Sequence, residues 1–83
     1  MKILKVYADW CGPCKELSKR LDQLNIECEN INIDSLDGEG ITTKYNVRSI
    51  PTLLILDDEG NLLRRQTGLH SNDEIKQFIY ETN

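Results

Sequence analysis

The stretch Cys11-Gly12-Pro13-Cys14 constrains this chain more than any other part of it. Two cysteines separated by two residues can close a small, reversible disulfide, and the Gly and Pro between them restrain the ring. The residues before it, Ile3 to Tyr7, form the apolar run of a buried strand, and the residues after it follow a helical period. A Cys-x-x-Cys between a strand and a helix is a redox-site pattern. A sulfur at the helix start gains from the positive end of the helix dipole and from unpaired backbone N–H groups. Thiolate is thereby favoured over thiol, and thiolate is the form that attacks disulfides. Pro13 suits the first helical turn, where a missing N–H costs little.

The totals narrow the setting. A chain of 83 residues makes one domain, here taken as 1–83, with a thin core. Its net charge of −4 supplies no basic stripe, so nucleic acid is excluded as a partner. No apolar run approaches a membrane span, and the charged start Met1-Lys2-Ile3-Leu4-Lys5 does not read as a signal peptide. Three cysteines are an odd number, unlike a secreted, disulfide-stapled domain. A reducing cytoplasm is the expected location.

The periodicities predict the order β-α-β-α-β-β-α. Lys2–Ala8 reads as a strand and Cys11–Leu24 as a helix with Cys14, Leu17, Leu21 and Leu24 on one face, ended by Asn25. Ile26–Ile33 reads as the second strand. Asp34–Asn46 reads as a weak helix, with Ile41 and Tyr45 inward and Gly38 and Gly40 unfavourable to its first half. Thr52–Leu56 is a nearly continuous apolar strand. The turn Asp57–Asn61, with a glycine for the positive dihedral, leads into the return strand Leu62–Gln66. Ser71 and Glu74 form a capping-box pattern before a helix that turns Ile75, Phe78 and Ile79 inward. The first βαβ unit should be parallel and right-handed. The expected fold is α/β, a four-stranded mixed sheet with helices on both faces.

With the Cys-x-x-Cys after a strand, then Ile50-Pro51-Thr52, then Gly68 after the last strand, the chain resembles the thioredoxin family from about Lys2 to Glu81. Trp10-Cys11-Gly12-Pro13-Cys14-Lys15 is the motif typical of thioredoxins proper. The strand and helix that most members carry ahead of the Cys-bearing strand are missing from this sequence, which points to a minimal, glutaredoxin-sized thioredoxin. Ile26–Ile33 should then lie at the sheet edge, where Glu27, Glu29, Asn30 and Asn32 discourage strand-to-strand aggregation.

The resemblance implies a protein-disulfide reductase without a bound cofactor or metal, its redox group being a Cys11–Cys14 disulfide. Cys11, partly exposed by the family's pattern, is the nucleophile, and the more buried Cys14 resolves the mixed disulfide. Trp10, Gly12, Pro13, Lys5 and Pro51 shape the site, and Pro51 should follow a cis peptide bond. Trp10, Ile50, Pro51, Gly68 and Leu69 should line a substrate groove, with Tyr7 adding to its apolar rim. A monomer is expected, recycled by a thioredoxin reductase (flavin, NADPH) or by the glutathione system. Most thioredoxins carry a buried aspartate five residues before the Trp, where this chain has Lys5, and a lysine on the next strand, where it has Asn30. Lys5 admits two readings: its ammonium makes the dithiol more acidic and more oxidising, or it snorkels to solvent.

Other readings weigh less against these residues. Glutaredoxin-like activity fits the length, but glutaredoxins usually carry Pro-Tyr between the cysteines. A docking protein that merely uses the fold would not need the thiols. A metal module lacks ligands, since only Cys28 and His70 remain for a four-ligand site. Cys28 is expected to pack as a small apolar residue, and His70 to be a loop residue beside the groove. Gly38-Glu39-Gly40 lacks the rest of a phosphate-binding motif.

Overall fold

The computed structural model describes residues 1–81. Its elements follow the expected order: β1 Lys2–Tyr7, α1 Gly12–Gln23, β2 Glu29–Asn32, α2 Leu36–Lys44, β3 Thr52–Leu56, β4 Leu62–Thr67 and α3 Asn72–Tyr80. The strands form one four-stranded sheet ordered β2-β1-β3-β4. β1 and β2 run parallel, joined through α1, while β1–β3 and β3–β4 are antiparallel. All five residues of β3 are buried, which explains its nearly continuous apolar sequence.

Alternation along β3 divides the core. Leu53 and Ile55 meet Leu17 and Leu21 of α1 and Ile75, Phe78 and Ile79 of α3. Leu54 and Leu56 pack on the other face with Leu4 and Val6 of β1 and with Tyr45, and Ile41 of α2 packs against this group. Two helices therefore cover one face and α2 covers the other, as expected.

Both early helices stop in the same way. Asn25 (φ 56°) and Asn46 (φ 54°) take the left-handed conformation that Asn tolerates better than other non-glycine residues. After α1, the Asn25 N–H donates to Asp22 and the Ile26 N–H donates to Leu21. After α2, the Asn46 N–H donates to Thr43 and the Val47 N–H donates to Thr42. Each set satisfies the last carbonyls of its helix in the Schellman pattern.

The first of these turns corrects the second strand. Ile26–Ile33 is not strand throughout, because pairing begins only at Glu29. The reversal at Asn25 swings Ile26 against Leu21 in the core, and Cys28 packs against that same cluster. β2 does lie at the sheet edge among the described residues, and its strand residues are Glu, Asn, Ile and Asn. The second correction concerns Gly38. It is buried, and a Cβ built on it would fall 1.8 Å from the Asn32 carbonyl oxygen. Gly38 therefore lets α2 sit against β2, while Gly40 has nothing within 4 Å of such a Cβ.

Candidate active site

The strand β1 delivers the chain to a tight turn in which the Cys11 N–H donates to the Ala8 carbonyl, 3.1 Å. Cys11 then acts as the N-cap of α1 rather than as its first residue. Its Sγ accepts from the Cys14 N–H at 3.1 Å, and Pro13 occupies the first turn. One turn of helix places Cys14 opposite Cys11, with their Cα atoms 5.2 Å apart, and a disulfide joins them. Both cysteines are buried: Cys11 is 6% exposed and Cys14 is 2% exposed. The expected partial exposure of Cys11 is thus not seen in the disulfide form, although Cys11 remains the more open of the two. Ala8 completes this cluster, and Tyr7, Ile33 and Ile50 pack against it.

The Ile50–Pro51 bond is cis and Pro51 is buried. The Pro51 carbonyl accepts from the Gly68 N–H at 2.8 Å, tying the start of β3 to the end of β4. Gly68 has φ +91°, and a Cβ there would meet nothing within 4 Å. Its positive φ is a backbone conformation that glycine adopts without strain. Leu69 is half exposed beside it.

On one side of the pair, Trp10 and Ile50 flank an open hollow of about 480 Å³ whose floor includes Ile33 and Val47. Trp10 is 70% exposed, yet its indole N–H donates to the Asp34 carboxylate at 3.2 Å. Asp34 escaped the sequence reading, because nothing local ties it to a residue 24 positions earlier. Of the five expected groove residues, Trp10 and Ile50 line this hollow, whereas Pro51, Gly68 and Leu69 do not.

Tyr7 belongs elsewhere. It lines a hollow of about 260 Å³ on the other side, together with Lys5, Cys14 and Ser18. Alternation along β1 puts Lys5 and Tyr7 on the α1 side, so Tyr7 is not part of the Trp10–Ile50 rim. Lys5 is 7% exposed and donates to the Ser18 hydroxyl, so it does not snorkel into solvent. Its register partner across the sheet is Asn30. Ser18 was legible in principle: it lies four residues past Cys14, one turn along the same helix face.

The remaining candidates have structural partners. Burial raises the Cys28 thiol above its ordinary value, against the lowering effect of Lys5. Both ring nitrogens of His70 are engaged, Nε2 with the Thr67 carbonyl (2.9 Å) and Nδ1 with Glu74 (3.2 Å). Among the described residues, no cluster of three or more His, Cys, Asp or Glu side chains is placed to hold a metal ion. Nor is any helix there long and apolar enough to cross a membrane.

A disulfide whose first cysteine caps a helix start, with its second sulfur one turn in and a cis-proline at the head of the neighbouring strand, defines a thiol–disulfide oxidoreductase. The comparisons with known proteins agree. The family model for Thioredoxin matches residues 1–81. Thioredoxin of Chlamydia trachomatis is 34% identical over 80 residues, covering 93% of this chain and 78% of that protein. Thioredoxin-T of Drosophila melanogaster is 38% identical over 76 residues, covering 84% of this chain but 46% of that longer protein. Among solved structures, a mutant thioredoxin from Halobacterium salinarum superposes with a TM-score of 0.78 at 31% identity, covering 93% of this chain and 69% of that one. The chain belongs to the thioredoxin family.

Proposed function

We propose that this protein works as a reductase of disulfides in other proteins, with Cys11 as nucleophile and Cys14 as resolving thiol. The observation that carries the reading is Cys11 at the N-cap of α1, joined to Cys14 and flanked by an open hollow between Trp10 and Ile50. The Cys11 thiolate attacks one sulfur of the substrate disulfide. A Cys11–substrate bond forms, the substrate bond breaks, and one substrate thiolate leaves. Cys14 then attacks the Cys11 sulfur, re-forms the Cys11–Cys14 bond and expels the second substrate thiolate. Two electrons pass from the dithiol to the substrate. No cofactor within the chain enters either step.

The electron donor in this reading is a flavin- and NADPH-dependent thioredoxin reductase. Gly12-Pro13 between the cysteines supports that choice over glutathione. The protein acts as a single domain over 1–83 and as a monomer in the cytoplasm, consistent with its net charge of −4 and one free cysteine.

Reduction of insulin with dithiothreitol as donor tests the activity. Wild type should accelerate it, and Cys11→Ser should abolish the acceleration. Cys14→Ser should accumulate a mixed disulfide on Cys11. Equal rates for wild type and Cys11→Ser would overturn the reading. Recycling by NADPH with thioredoxin reductase, compared with glutathione and its reductase, decides the donor. A partner that still binds the Cys11→Ser/Cys14→Ser protein would instead favour a docking role.

A further inference from the structure

Lys5 is the buried charged side chain of the core, 7% exposed. None of the ion pairs among the described residues includes it. Its contacts are the Ser18 hydroxyl, which accepts from Nζ, and the face of the Tyr7 ring, 5.4 Å from Nζ. Ser18 in turn donates to the Cys14 carbonyl at 3.2 Å. Lys5, Ser18 and Cys14 therefore share one hollow, with the ammonium held by a residue one helical turn from Cys14. A buried charge is costly unless a counter-charge answers it. In the disulfide form Cys14 cannot provide one, because its sulfur is bonded to Cys11. In the dithiol form it can.

We propose that Lys5 is a positioning residue that serves as the counter-ion of the Cys14 thiolate, so that reduction of the pair creates the partner this ammonium lacks. The inference rests on Cys11–Cys14 being the redox pair. When a reducing dithiol donates two electrons, it becomes a disulfide itself, and the Cys11–Cys14 bond breaks. The donor's first thiolate bonds to the Cys11 sulfur and expels Cys14 as a thiolate, whose charge Lys5 balances. Its second thiolate then displaces the Cys11 sulfur, and of the two protons the donor gives up one goes to Cys11 and the other to solvent. On the return step Cys14 attacks the mixed disulfide as a ready thiolate, with no separate base required. Stabilising the thiolate stabilises the reduced form, so Lys5 makes the pair more oxidising.

Other charges face this space. Asp9 and Lys15 line the Cys14 side of Lys5, and Asp22 and Glu27 line the far side with Cys28. Burial raises the Cys28 thiol, Lys5 lowers it in part and Asp22 adds to the rise.

The test isolates Cys14. In Cys11→Ser/Cys28→Ser protein it is the remaining thiol, and its titration is read from thiolate ultraviolet absorbance. Adding Lys5→Met should raise the Cys14 pKa by about one unit or more, while Lys5→Arg should hold it low. In the otherwise native chain, Lys5→Met should shift the equilibrium with dithiothreitol about tenfold toward the protein disulfide, about 30 mV for a two-electron couple. Titration curves that coincide with and without Lys5, in folded protein, would overturn the proposal. If Lys5→Met does not fold, the Lys5 side-chain nitrogen NMR signal in Cys11→Ser/Cys28→Ser protein decides. It must step at the Cys14 pKa, and a flat signal overturns the proposal. A normal insulin-reduction rate alongside that negative result would leave the redox pair standing and remove only Lys5.

Discussion

Single residues in this fold answer to what they touch, not to their type. Gly38 and Gly40 look alike in the sequence, two helix-weakening glycines in one turn. In the structure a Cβ on Gly38 would fall within 3 Å of three backbone atoms of Asn32 and Ile33, which cannot yield as a flexible side chain would. Gly38→Ala should therefore destabilise the protein by about 2–3 kcal/mol through overpacking. Gly40→Ala, in open space within α2, should instead stabilise it by about 0.5–1 kcal/mol by removing glycine's entropic penalty. Urea unfolding of the two variants checks both signs, and equal effects would refute the packing of α2 against β2. The site shows the same contrast. The cysteines, Pro13 and Trp10 were legible because their chemistry lies in consecutive residues. Asp34, which accepts from the Trp10 indole, was not, because folding alone brings those two residues together.

At the scale of elements, α3 shows how a short helix is anchored at its start. The Ser71 hydroxyl accepts from the Glu74 N–H, and the Glu74 carboxylate accepts from the Ser71 N–H, closing the box the sequence announced. His70 extends it. Hydrogen bonding to the Thr67 carbonyl, then to Glu74, raises the His70 pKa above its ordinary 6.5. Hydrogen bonds from His70, then from Ser71, lower Glu74 below its ordinary 4.5. A raised histidine contributes stability that is complete below its unfolded pKa and lost as pH rises through the folded one. A lowered carboxylate contributes stability that is complete above its unfolded pKa and lost as pH falls through the folded one. Both contributions coexist between 4.5 and 6.5. His70→Gln should therefore lower stability more at about pH 5.5 than at about pH 8.5. Denaturant midpoints at the two values measure it, and a pH-independent loss would show that the imidazolium contributes nothing. Element boundaries were legible wherever such local chemistry marks them, as at Ser71, Asp57–Asn61 and Asn25. β2 was overdrawn because the apolar residues Ile26 and Cys28 alternate like a strand. Their apolar surface is taken up by the α1–α3 core once Asn25 has turned the chain.

For the whole molecule, stability rests on a sheet packed on both faces by little material. A chain of 83 residues has about 4–12 kcal/mol of net stability at ordinary per-residue values. Ile75, fully buried, joins α3 to Leu53 and Ile55 on the face that α1 also covers. Ile75→Ala should cost about 2–5 kcal/mol, since the tightly packed site can collapse only partly around the cavity. That is a large share of the total. Leu36, also apolar but 88% exposed at the start of α2, should change stability by no more than about 0.5 kcal/mol when replaced by Ala. Urea unfolding of the oxidised proteins compares the two. Comparable losses would mean that the division of the core between the two sheet faces is wrong. Insulin reduction, normalised to folded protein, should stay near wild type for Ile75→Ala, because the cluster Ile75 belongs to is separate from the one that holds Cys11 and Cys14. A reductase defect beyond the unfolded fraction would show instead that α3 packing sets the position of β3 and, through Pro51 at its head, the geometry beside Cys11.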